Sequence, residues 1–138
     1  MIFNIKTLAT INLLVQALLL ITVLVAAYQA RIRHRLIQHC RIIRVAMVIQ
    51  LLTVFLMMLP SLLSYLKSPV EALFQTEMLI HLGLGVLLVL LWVYINLAVV
   101  GRVRVVGRLA WYMRTALLAW GLAFLLGLHL YLRIYLLS

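Results

Sequence analysis

An all-α integral membrane fold, a single up-down bundle of four helices over residues 1–138, is what this sequence predicts, and three observations predict it. The chain is 68% hydrophobic and only 10% charged, with a mean hydropathy of +1.25, too little polar surface to cover a core in water. Its apolar residues gather into four runs: Leu8 to Tyr28, Val45 to Leu66, Met78 to Val100 and Thr115 to Leu137. Each run is about 20 residues, the length a helix rising ~1.5 Å per residue needs to cross ~30 Å of hydrocarbon. A helix also satisfies its own backbone polar groups, which lipid cannot do. The third observation is charge. Five arginines lie in "RIRHRLIQHCRIIR" (31–44) and four in "GRVRVVGRLAWYMR" (101–114), whereas "KSPVEALFQTE" (67–77) holds one lysine and both acids of the chain.

That alternation is the positive-inside pattern. It places the first and third connections in the cytoplasm and both termini outside, in a multi-pass protein of the plasma (inner) membrane. The net charge of +10 therefore serves topology and anionic lipid headgroups, and nucleic acid is a poor reading. The first run is expected to be a span rather than a cleaved leader. It is long for a leader's apolar core, and "AAYQARIRH" follows it as a basic stop. Cys40 is the only cysteine, so no disulfide forms within the chain and no haem is attached through a pair of thiols.

In the second run Pro60 is expected to free the carbonyl of Leu56 and kink the helix. Pro69 and Glu71 fall in the connection that follows. In the fourth run Ala119, Ala123 and Gly127 recur every four residues, a small-residue stripe along which a helix of another membrane protein is expected to pack. Tyr28, Tyr65, Trp92, Trp111, Tyr112 and Tyr131 read as interfacial anchors.

Polar groups inside a bilayer are costly, so their depths carry information. His81, in "EMLIHLGLG" (77–85), enters the third run about 5 Å below the outer surface at ~1.5 Å per residue. His129 lies about 12 Å down the fourth run by the same rise. Two neutral imidazoles on antiparallel helices within a few ångströms of one depth can ligate the iron of a b-type haem. Gly85, one turn beyond His81, would present no side chain to the macrocycle. Arg133, one turn beyond His129, could meet a haem propionate or Glu77. The plainer alternative is that both histidines are hydrogen-bonded structural residues, His81 pairing with Glu77 one turn away. His34 and His39 lie five residues apart in the arginine-rich connection and read first as a solvated basic loop, second as an inner-face anion site.

"HCRIIRVAMVIQLLTVFLMMLPSLL" (39–63), "MLIHLGLGVLL" (78–88) and "GRLAWYMRTALLAWGLAFLLG" (107–127) together resemble the small four-helix membrane family that includes the cytochrome oxidase maturation factor CtaM. The resemblance covers most of the chain. It implies a role in haem-copper oxidase assembly or another respiratory haem system, with His39 and His81 at the matching positions. The family's His-Arg pair before its fourth span is Gly107-Arg108 here.

The function expected from all this is haem b binding or handling beside a respiratory complex, in electron transfer or assembly. A cofactor-free structural or assembly subunit is the alternative. A small transporter or channel subunit ranks lower, since no inverted repeat or deep carboxylate is visible. Catalysis by the chain alone is not expected, because no nucleophile and base are paired.

Overall fold

The computed structural model describes residues 4–67 and 72–137, and among them every regular element is helical. In chain order these are α1 (Ile5–Arg33), α2 (Leu36–Thr53), a π-helical segment (Val54–Met58), α3 (Leu59–Leu66), α4 (Ala72–Val99) and α5 (Leu109–Tyr135). The continuous stretch Leu36–Ser64, the stretch Gln75–Val99, α1 and α5 are each long and apolar enough to cross a membrane. The outward face of α5 shows why water is a poor solvent for them. Leu118, Leu122 and Leu125 are exposed at helical spacing, while Ala116, Ala119, Trp120, Ala123 and Leu130 are buried on the other side. A row of exposed leucines of that length is stable against hydrocarbon rather than water.

The chain divides into two compact units, Met1–Val70 and Glu71–Ser138, each built around a helical hairpin. In the first, α1 and the long second helix run antiparallel. Gln16 Nε2 donates to Thr53 Oγ1 at 3.5 Å at one end of the seam, and His39 Nδ1 lies 3.0 Å from the Ala26 carbonyl at the other. Ala26 and Ala46, at 0% and 2% exposure, are the small residues that let these helices close.

The turn between α1 and α2 is far shorter than the arginine-rich loop expected over residues 31–44. Only His34 and Arg35 are non-helical there, and His34 ends α1 in the left-handed region at φ 51. Arginine is a good helix former, so nothing in this stretch stops a helix at the edge of the apolar run. His39 is therefore a helical residue with a backbone partner, not a solvated loop residue.

Pro60 has its effect one turn upstream. The Leu59 amide donates to the carbonyl of Val54, five residues back, and residues 54–58 form a widened turn. A proline ring would strike the carbonyl four residues before it in a regular α-helix, and a π turn moves that carbonyl aside. The Thr53 hydroxyl, at the mouth of the widened turn, lies 2.8 Å from the Gln50 carbonyl. Pro69 and Glu71 lie outside the described residues.

In the second unit α4 and α5 form the other antiparallel hairpin, and its start reaches into the connection expected over 67–77, since α4 begins at Ala72. Trp92 and Trp120 meet edge-to-face with centroids 5.0 Å apart, both buried. Trp92 is thus a packing residue rather than an interfacial anchor. Trp111 and Tyr28 stay exposed, as anchors would. The turn between α4 and α5 is pinned by two tyrosines. Tyr112 donates its hydroxyl to the Val106 carbonyl at 2.8 Å, and the Val106 amide donates to Tyr94 Oη at 3.2 Å. Gly101 (φ 77) and Gly107 (φ 86) supply the left-handed backbone this turn requires.

Candidate functional site

The chemistry-bearing residues of the second unit collect at the end of the hairpin away from that turn. Antiparallel pairing sets this out. Trp92 opposite Trp120 and Tyr94 opposite Tyr112 fix the register, and following it toward the start of α4 brings Glu77 beside the last two turns of α5. Arg133 donates from Nη1 to Glu77 Oε1 at 3.1 Å. The His129 Nδ1 lies 3.2 Å from the other carboxylate oxygen, Oε2. This second contact is one of distance rather than alignment, since Oε2 has no well-directed donor. The carboxylate is mostly buried, with 22% of its side-chain surface exposed, whereas the His129 side chain is 54% exposed. Glu77 is one turn before His81 on α4, and His129 and Arg133 are one turn apart on α5, so one carboxylate serves two helical neighbours at once.

His81 turns to a different neighbour. Its ring lies against Gly127, where an added Cβ would sit 3.0 Å from His81 Cε1 and 3.6 Å from Nδ1. The imidazole also reaches toward the backbone of Ala123. Its Nδ1 is buried and has no hydrogen-bond partner. The stripe of Ala119, Ala123 and Gly127 is therefore not a free face awaiting another protein. Both alanines are buried, and Gly127 is the notch that admits His81. Glu77 meets Arg133, one of the two partners expected of that arginine, and the alternative pairing of His81 with Glu77 gives way to His129 beside the carboxylate.

Gly85, the glycine expected to face a macrocycle, has open space around its Cβ direction, with nothing within 4 Å. The structure brings His81, His129 and Arg133 to one end of one hairpin but gives the two histidines different neighbours. Among the described residues no three histidine, cysteine or acidic side chains converge closely enough to hold a metal ion. His34 stands at the α1–α2 turn and His39 on α2, both in the first unit.

For a b-type haem the fit is divided. A histidine with a carboxylate beside one ring nitrogen keeps the other nitrogen for iron, and His129 Nδ1 stands 3.2 Å from Glu77 Oε2. His81, seated in the Gly127 notch, leaves no width for a porphyrin between its ring and α5 at that level. Cross-helix register is what sequence reasoning missed. Gly127 was visible only as part of a stripe, and its role follows once Glu77 is set opposite Arg133.

Comparison with models of known protein families, with curated proteins and with solved structures finds no match to the chain.

Proposed function

We propose that the chain is a multi-pass protein of the plasma (inner) membrane that handles haem b beside a respiratory, oxidase-type complex, in electron transfer or in assembly. The observation that carries this reading is His129, whose Nδ1 lies 3.2 Å from a carboxylate that Arg133 itself fixes. With its proton on Nδ1, such an imidazole would keep its Nε2 lone pair for iron, and the side chain as a whole is 54% exposed. Bound haem b would supply one-electron redox chemistry. The chain's own residues would do the rest. His129 would bind iron through Nε2, Glu77 would set the ring's orientation, and Arg133 would share its charge between Glu77 and a propionate. His81 would become a second ligand only by leaving the notch at Gly127.

A second reading, a cofactor-free structural or assembly subunit, is favoured by one observation: His81 already fills a glycine notch as a packing residue does. Titration of haemin into the detergent-purified chain separates the two. The haem reading expects saturable binding that His129→Leu abolishes and His34→Leu leaves intact. Binding that survives His129→Leu unchanged, or no saturable binding, supports the structural reading instead.

A further inference from the structure

The first unit carries a second feature, which does not rest on the haem reading. Leu19 and Thr22 of α1 and Arg41, Val45, Ala46 and Ile49 of α2 line an apolar furrow of about 350 Å³. Thr22 offers only its methyl group, because its hydroxyl donates to the Leu18 carbonyl at 2.8 Å. Ala46, 2% exposed, gives the furrow its depth, since any longer side chain there would fill it. From Arg41 to Ile49 the furrow extends about 12 Å along α2 at ~1.5 Å per residue. The apolar run of this helix begins at Val45, so Arg41 stands one turn outside it, at headgroup level, while Ile49 lies within the hydrocarbon.

Arg41 is also uncompensated. It is exposed, it makes no ion pair among the described residues, and residues 1–70 contain seven lysines and arginines and no acid. A guanidinium beside an apolar slot, with no carboxylate to neutralise it, matches a ligand with a phosphate at one end and a hydrocarbon chain at the other. A second copy of the chain would bring the same excess of positive charge. A zwitterionic lipid would bring its own cation beside Arg41 and Arg44.

We propose that this furrow holds one acyl chain of an anionic phospholipid, with Arg41 on its phosphate. The test is native mass spectrometry of the delipidated full chain in detergent, titrated separately with phosphatidylglycerol, phosphatidylcholine and glycerol phosphate. Phosphatidylglycerol should be retained in preference to phosphatidylcholine, and glycerol phosphate, which lacks the chain, should not be retained. Arg41→Gln should lower phosphatidylglycerol retention roughly fivefold, the order expected for one cation at the membrane surface. Arg44→Gln removes the same charge from a residue that does not line the furrow and should change retention less than about twofold. Val45→Phe, at an exposed position that tolerates size, should lower retention by filling the slot. Equal retention of the two lipids overturns the proposal. So do equal losses in the Arg41 and Arg44 variants, which would show diffuse attraction, or retention of glycerol phosphate equal to that of the lipid. Circular dichroism confirms that each variant keeps its helices.

Discussion

His81 occupies the space that a side chain at Gly127 would need: a Cβ built on that glycine falls 3.0 Å from the imidazole Cε1. The contact is a lock between α4 and α5, because a ring enters where one helix has no side chain. Gly127→Leu should therefore destabilise the hairpin by about 1–3 kcal/mol through overpacking. Combining it with His81→Ala should recover at least half of that loss. Thermal unfolding of the single and double variants in one detergent provides the measurement. Strictly additive losses would show that the two residues do not share the space.

Glu77 and Arg133 supply the second prediction. The pair is partly buried, with 22% and 31% of the side-chain surfaces exposed, so water screens it less than a surface pair. Glu77→Gln should cost about 1–3 kcal/mol by leaving Arg133 without its anion. A double-mutant cycle with Arg133→Gln should return a coupling of about 0.5–3 kcal/mol. A coupling near zero would mean that the two ends of α4 and α5 are held by packing alone.

The π segment makes a third prediction. A π turn is one residue longer than the α turn it replaces, so deleting one residue from it restores an α-helix and keeps both flanks in register. Removal of the exposed Phe55 should be tolerated once Pro60→Leu has removed the ring that requires the widened turn. Removal of the exposed Val48, outside the segment, should rotate the seam residues off α1 and lower the yield of folded protein. Similar yields from both deletions would contradict this account of Pro60.

Orientation provides a fourth. Nine arginines lie in stretches 31–44 and 101–114, which the positive-inside rule assigns to the cytoplasm. A reporter fused after Ser138 should register on the outer side. A cytoplasmic signal there reverses the assignment.

The four apolar helices were legible because lipid demands a composition and a length, and both are written along the chain. Their ends were not. Arginine-rich stretches propagate helix well past the apolar runs, so α1 reaches Arg33 and α2 starts at Leu36. The shared end of the hairpin was legible too, since positions along the two runs bring His81, His129, Glu77 and Arg133 together there. Azimuth was not, because each helix is apolar almost all round and hydropathy does not mark the face that meets its neighbour. That is why Trp92 reads as an anchor by position yet packs on Trp120, and why Gly127, which the His81 ring meets, reads only as part of a small-residue stripe. Register across the hairpin settles such points, and it depends on where the 100–108 turn closes.

Haem b at the His129 cluster is open to test by the reduced-minus-oxidised absorption spectrum of the chain purified from haem-replete cells. A Soret band and sharp visible bands are expected in the reduced state, lost in His129→Leu and weakened in Glu77→Gln, with His39→Leu unchanged. A purified, helical, haem-replete preparation without a Soret band would contradict it and leave His129 as the structural partner of Glu77.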